Sequence, residues 1–474
     1  MMKTALGACI LALVLAGCVV YRPKPVEPSR IEAQFRARSL SDPRLGDYIR
    51  GELGTPAAAW PPRSWDLRML TLAAFFYQPE LDVARGAMLK AGAAIETASE
   101  RPNPALSLTP VFSTNPPAGI SPWLPGIDLD FPIETAGKRG DRMAKARAAA
   151  EAARLTFEET GWQVYSHVRS ALLQHVLAQQ KLAALKAEED AWREVVKLLQ
   201  QRLEAGQISA IAVNSIRIQL GLTKLAVRTA EGTLAESLAA LAQAIGVPAD
   251  AFHNTDLIWP GLAHPPSVGS DWPARLQRLG LHSRLDLHRS LAEYAVAEAA
   301  LKLEVARQFP DIRLGPGYTY DQGQNEYSLG LTIVLPILNR NRGRIAEAEA
   351  ERKIAADRFL ALQAKVIGQI SEALARYRAA MNVLKEARQS LAIQKQLLDR
   401  TEREFQAGQK DRLDLAASRV QWAVANQTAE DVLAGTLRAL GLLEDSIQRP
   451  LSTPSVPPVP MASPRRHADE GAER

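Results

Sequence analysis

The sequence predicts a mostly α-helical chain that also contributes strands to a membrane β-barrel. Three observations lead there. The chain is an internal duplication, each half holds two alternating strand segments, and each half holds a proline-free helical run of about 65 residues. Composition agrees: aromatics are only 6%, while Ala, Leu, Glu, Gln, Lys and Arg dominate, which favours long helices. The net charge of +5 is mixed in sign and argues against a dedicated nucleic-acid binder.

The N-terminus begins with Lys3 and an apolar run, Ala5–Leu15, closed by "LAGC" at Cys18. The run is too short to span a bilayer and reads as a signal peptide over residues 1–17. Its ending resembles a bacterial lipobox, whose cysteine is lipidated; the alternative is an ordinary cleavage site that contains a cysteine. Val19 rather than an aspartate follows, which favours sorting to the outer membrane. Cys9 and Cys18 are the only cysteines, so the body of the chain has neither a disulfide framework nor a cysteine metal site. No later window approaches the roughly 20 apolar residues of a membrane helix. Residues 18–65 are expected to be a lipidated tether with a short helix.

Two repeats follow, 66–246 and 284–447. "PELDVARGAML" echoes "SRLDLHRSLAE", "NPALSLTPVF" echoes "FPDIRLGPGYTY", "GIDLDFPIETAGKRG" echoes "LGLTIVLPILNRNRG", and "QRLEAGQISAI" echoes "REFQAGQKDRL". Asp82 and Asp286, Pro104 and Pro310, Pro132 and Pro336, and Gly206 and Gly408 are 204, 206, 204 and 202 residues apart. Each unit reads helix, strand, loop, strand, very long helix, tight turn, helix. The predicted helices are 66–101, 138–204 and 209–246, then 284–308, 340–406 and 411–447. Residues 247–283 form an irregular connector with a short helix. Residues 448–474, rich in proline and polar groups, form a disordered tail.

The strands are placed at about 105–114, 125–133, 310–321 and 326–336. Ile127, Leu129 and Phe131 alternate with Asp128 and Asp130, and Tyr327, Leu329, Leu331 and Ile333 with Ser328, Gly330 and Thr332. A soluble half-buried hairpin would look the same singly. Two such pairs, each strand about ten residues long, have the length and two-faced pattern of membrane strands. Four strands cannot close a barrel, and an open edge is costly in hydrocarbon. Copies must therefore share one; two give eight strands and three give twelve.

No proline interrupts 140–204 or 343–407, and a helix of that length reaches roughly 95 Å. Leu185, Trp192, Val196, Leu199 and Leu203, and Tyr377, Met381, Leu384, Leu391 and Leu398, recur at coiled-coil spacing. The far ends turn tightly at Gly206–Gln207 and Gly408–Gln409, with Ser209 and Asp411 as caps of the returning helices and Asp414 completing a capping box. At the near ends Lys138, Arg139 and Arg142, and Arg340, Arg342 and Arg344, oppose the helix dipole at a cost of about 0.3–1 kcal/mol each. Contact with anionic lipid head groups would offset this; a solvated basic turn is the alternative. Pro132 and Pro336 are expected to end strand pairing there.

Together these features resemble the TolC family of outer-membrane efflux proteins, over residues from about 66 to 447. The resemblance implies a homotrimer with a 12-stranded barrel and a long periplasmic helical barrel. It also implies docking of the hairpin tips (Gly206, Gln207, Ser209, Gly408, Gln409, Asp411) on a periplasmic adaptor beside an inner-membrane pump. "ETAGKRG" is similar to the junction of cobalt–zinc–cadmium exporters and suggests divalent metals as cargo; drugs are the other option. Family aspartates ring the periplasmic entrance; Asp414 matches the first, and Ala417 stands where the second would be. Asp414 is otherwise a simple cap. No cofactor, resident metal or enzymatic activity is implied: there is no nucleophile elbow, phosphate loop or metalloprotease pair. Asp128 and Asp130 on a strand point into a lumen rather than forming a catalytic pair. His167 and His175 read as a packed or solvated pair. A non-pore adaptor or structural lipoprotein is the competing function.

Overall fold

The computed structural model describes residues 21–54, 59–116, 118–253, 255–321, 323–451, 457 and 459–461. The expected signal peptide and Cys18 lie outside these residues. Helices α1 (Pro28–Arg36) and α2 (Pro43–Leu53) lead to a short strand, β1 (Ser64–Trp65). Then come α3 (Leu67–Tyr77), α4 (Pro79–Ser99), β2 (Ala105–Leu108), β3 (Val111–Phe112), β4 (Trp123–Leu124), β5 (Gly126–Ile133), α5 (Lys138–Glu204) and α6 (Ala210–Ile245). A 3-10 turn (Ala249–Phe252), β6 (Asp256–Leu257) and α7 (Trp272–Ser283) form the connector. The second half is α8 (Leu285–Ala306), β7 (Ile312–Asp321), β8 (Gln324–Ile333), α9 (Arg342–Gln406) and α10 (Arg412–Ile447).

Four strands make one antiparallel sheet in the order β2-β5-β7-β8, and β2 and β8 are its edges. The register joins like with like. Leu106 faces Leu129, Leu108 faces Ile127, Phe131 faces Leu314 and Leu314 faces Leu331, giving one apolar side. Ser107, Asp128, Gly317 and Ser328 line up on the other, where Arg313 pairs with Asp130 at 3.1 Å. The apolar side is exposed, from Leu106 and Leu108 across to Leu329 and Leu331. The alternation read from the sequence is thus a sheet whose apolar face has no partner among the described residues.

Several expected boundaries shift. The first helix of repeat one is two helices, because Pro79 disfavours helical backbone at Gln78, which is extended. The strand expected over 105–114 divides into β2 and β3 at Thr109–Pro110, yet Val111 facing Leu124 keeps the register in which Ala105 faces Asp130. Pro132 does not end pairing: it faces Arg313, and Ile133 still faces Ile312. No N–H is needed from it there, because the even-numbered residues of β5 bond toward β2, which begins only opposite Asp130. β8 stops at Ile333, three residues before Pro336.

The tether is partly structural. Asp42 caps α2, Pro43 opens it and Gly54 closes it in the left-handed region. Leu40, Leu45, Ile49 and Trp65 are buried, and β1 pairs in parallel with β6 of the connector. The tail is also partly placed. Buried Arg85 donates to the carbonyls of Pro460 and Met461, and Val459 lies on Gly161.

The main core gathers α3, apolar but for Arg68 and Thr71 and buried along most of its length, with the middle of α5, the ends of α6 and α10, and part of α9. Toward the far tips smaller apolar clusters pack the rods together, Leu185 with Val227 and Ala230, and Val195 with Ala416 and Val420. The coiled-coil residues named from sequence are buried (Leu185, Tyr377, Leu384, Leu398) or half-buried (Trp192, Val196, Leu199, Leu203, Met381, Leu391).

Candidate functional site

The two hairpin tips are built alike. Gly206 and Gly408 take φ of 71° and 73°, and the N–H groups of Gln207 and Gln409 return to the carbonyls of Arg202 and Glu404 at 2.8 and 2.9 Å. Only glycine takes this backbone without strain. Ser209 and Asp411 cap α6 and α10 as expected, and Asp411 and Asp414 form a reciprocal capping box, at 2.8 and 3.3 Å. A Cβ on Gly408 or on mid-helix Gly221 would meet nothing within 4 Å. Gly408→Ala is therefore expected to destabilise the chain by about 1–2 kcal/mol through backbone strain alone. Gly221→Ala should stabilise α6 by about 1 kcal/mol. Thermal unfolding of the two variants in detergent checks the opposite signs.

The tips also touch each other, through pairings that sequence reasoning missed. Arg202 pairs with Asp411, and Arg412 pairs with Glu194 at 3.0 Å. These contacts join the first hairpin to the second. A hydrogen bond from the Asp414 N–H, which outweighs the opposing effect of burial, and after it the smaller contribution of Arg202 hold the Asp411 carboxyl below its ordinary range.

At the sheet end of the rods, Ala136 and Gly137 are both left-handed, with φ of 55° and 74°, and start α5. Lys138 is only 7% exposed; its ammonium donates to the Phe309 carbonyl at 2.6 Å and to Asp311 at 2.7 Å. Asp311 also accepts from the Thr135 N–H at 3.0 Å. Burial pushes the Asp311 carboxyl up, but these bonds more than offset it and hold it below the usual range.

Comparison with known proteins decides the family. The model of the outer membrane efflux protein family matches residues 77–247 and 277–445, which fall on the two repeats. The chain belongs to the outer membrane efflux protein family. It is 26% identical over 235 residues to the cobalt-zinc-cadmium resistance protein CzcC of Cupriavidus metallidurans, covering 49% of this chain and 55% of that one. It is 29% identical over 302 residues to the pyoverdine export outer membrane protein OpmQ of Pseudomonas aeruginosa, covering 60% and 58%. The chain thus spans somewhat over half the length of these relatives. The fold is that of the outer membrane protein VceC of Vibrio cholerae, with a TM-score of 0.63 at 15% identity, over 80% of this chain and 95% of that one.

In this chain the basic junction residues fall into two unlike sets. Lys138 and Arg139, expected at lipid head groups, are instead bonded within the chain, Arg139 to the Ser99 carbonyl. Arg142 is likewise held by Glu134 and by the Glu100 carbonyl. The positive end of a helix leaves a cation there in need of an anion, and Asp311 and Glu134 supply it. Asp311 had a sequence signal: the residue after Pro310 is acidic where that after Pro104 is Ala105. Arg340, Arg342 and Arg344 are exposed, with Arg340 lying before the helix rather than in it. Pro336 sits in an exposed apolar loop with Leu335 and Ile337.

Asp414 is exposed in the first turn of α10, with one oxygen engaged by the Asp411 N–H. The two histidines of α5 do not form a site. His167 is exposed, whereas His175 is buried and hydrogen-bonded to Ser237 at 3.0 Å, its pKa lowered by burial.

Proposed function

We propose that this chain is the outer-membrane channel of a tripartite efflux system, a passive conduit that performs no chemistry. Three copies pool their strands into one 12-stranded barrel, and their hairpins extend the bore through the periplasm to an adaptor and an inner-membrane pump. The observation that carries this reading is the sheet: apolar on one exposed side, polar on the other, and open at both edges. In hydrocarbon those edges must be paired, and closure by further copies pairs them. The 67- and 65-residue helices support the second part, since each reaches roughly 95–100 Å.

Lipidation at Cys18 anchors the chain in the outer membrane. Cargo falls in the classes exported or resisted by its relatives, divalent heavy-metal cations or organic compounds; the "GKR" junction at Gly137–Arg139 favours the metals. The tips around Gly206, Gln207, Ser209, Gly408, Gln409 and Asp411 meet the adaptor, and Asp414 lies at the periplasmic entrance.

Purified, lipid-embedded protein should have the mass of three chains and conduct ions across a planar bilayer. A monomeric, electrically silent sample would refute the reading. Three Asp414 carboxylates around a threefold axis would attract cations. Asp414→Ala should therefore raise single-channel conductance and relieve block by divalent cations; no change in either removes Asp414 from the entrance.

A further inference from the structure

The two junctions are built on one plan, but only the first is completed within the chain. Asn341 stands 204 residues after Gly137, and both cap a long helix with left-handed backbone, at φ of 57° and 74°. Arg342 is therefore placed as Lys138 is. β7 repeats β2 at an offset of 206, with Pro310 for Pro104 and Pro316 for Pro110. β5 runs on past the start of β2, and its Phe131, Pro132 and Ile133 pair with Leu314, Arg313 and Ile312. The matching stretch after β8 has no strand beside it among the described residues. Val334, Leu335 and Ile337 are 73, 68 and 71% exposed, and the Ile337 N–H bends back to the Leu335 carbonyl across Pro336.

Backbone parity says which groups the edges offer. Gly126 and Thr109 exchange both hydrogen bonds, so β5 bonds β2 through even-numbered residues and β7 through odd-numbered ones. The bond from the Tyr320 N–H to the Pro125 carbonyl agrees. Carried across the sheet, β8 turns the N–H and C=O of Leu331 and Ile333 outward, and β2 those of Leu106 and Leu108; Leu335 continues the same parity past the end of β8.

We propose that this edge seats a second copy of the chain in one definite register. Leu335 lies opposite Leu108 of the partner subunit, Ile337 lies opposite Leu106 of the partner subunit, and Arg342 donates to the backbone carbonyl of Asn103 of the partner subunit. The proposal rests on the shared-barrel reading and fixes its seam. The register is that of β5 on β7, moved by the repeat offsets. It sets Ile333 against Pro110 of the partner subunit, as Leu129 is set against Pro316 within the chain, where no N–H is available. It also sets Leu331 against Phe112 of the partner subunit, so the apolar face runs unbroken across the seam. Asn103 of the partner subunit holds the place of Phe309, whose carbonyl receives Lys138. Ala105 holds the place of Asp311, so the seam clamp lacks the carboxylate of the internal one.

Cysteine pairs test the seam in the full chain, whose own cysteines are only Cys9 and Cys18. Thr109→Cys with Val334→Cys makes a non-hydrogen-bonded pair across the seam, about 4.5 Å between Cα atoms and within disulfide reach. Reduction-sensitive covalent dimers and trimers are expected from this pair, and none from either single variant or from Thr109→Cys with Thr332→Cys, two residues out of register. No cross-link at 109/334 in a particle of oligomeric mass, or a cross-link at 109/332, overturns the register and leaves the shared barrel standing. A monomeric particle overturns the shared barrel itself. Arg342→Ala should lower the temperature at which detergent dissociates the oligomer, and Arg342→Lys should largely retain it; equal temperatures for all three remove the clamp.

Discussion

Arg169→Ala is expected to destabilise the folded chain by about 3–5 kcal/mol, the cost of breaking one side of a buried ion pair. Arg169, on α5, donates to Glu444 at 2.8 Å, to Asp445 at 2.7 Å and to the Gly441 carbonyl at 3.0 Å, and it lies over the Tyr165 ring. Glu444 is 1% exposed, and its second oxygen accepts the Leu451 N–H at 2.7 Å. The network joins the first long helix to the last helix of the second repeat, so it holds the two halves together at the core. With the guanidinium gone, the Glu444 carboxylate loses its 2.8 Å ion pair while it stays buried, at 1% exposure. The stranded charge, rather than the lost contact, dominates the cost. It follows that Glu444→Gln should relieve the defect: Arg169→Met with Glu444→Gln ought to recover about 1–3 kcal/mol relative to Arg169→Met alone, because the amide still accepts from Leu451 without carrying charge. Thermal unfolding of detergent-solubilised protein reads both. A loss below about 1 kcal/mol for Arg169→Ala would mean that water enters the site and the pair is not dry.

What the sequence disclosed about this fold was local or repeated. Gly206 and Gly408, with Ser209 and Asp411 three residues on, announce their tips because a left-handed residue and a side-chain cap are short-range requirements. The alternation around Ile127 and Leu329 gave the two faces of the sheet, since side-chain direction has a period of two whatever the partner. The internal repeat gave the order of elements. Contacts between distant segments were hidden. Lys138 and Asp311 are 173 residues apart, and no pattern at Lys138 distinguishes a cation bound in the chain from one bound to lipid. Arg202 and Asp411, 209 residues apart, were concealed in the same way. The helix break at Gln78 was legible in principle from Pro79. The run Leu67–Tyr77, apolar but for Arg68 and Thr71, masked it, because so apolar a segment carries little periodicity by which to see a boundary.

Asp411 combines the local and the distant kinds of contact, and its substitution should change both the stability and the opening of the tip. It caps α10 through the Asp414 N–H and pairs with Arg202 of the other hairpin. Loss of the cap in Asp411→Ala is expected to cost about 0.5–2 kcal/mol. The ion pair adds less, about 0–1 kcal/mol, because both side chains are well exposed. On the proposed channel reading the order reverses for conductance. A frayed first turn leaves the hairpins joined, whereas loss of the cross-tip pair lets them part. Asparagine separates the two effects, since it still accepts the Asp414 N–H but carries no charge for Arg202. Asp411→Asn should therefore keep nearly all the stability and still raise single-channel conductance, while Asp411→Ala lowers stability and raises conductance together. The pH dependence has a definite sign. The folded carboxyl titrates below its unfolded value of 3.8, so the stabilisation is complete above that value and is lost as pH falls through the depressed one. The contribution of this pair to closure should then be flat from about pH 8 to about pH 5 and fade only in stronger acid. Raised salt should weaken it at any pH, because the pair is exposed. Conductance of Asp411→Asn equal to that of the unmodified channel, at low salt and neutral pH, would show that Arg202 and Asp411 do not hold the tips together and would leave Arg412 with Glu194 as the contact to test next.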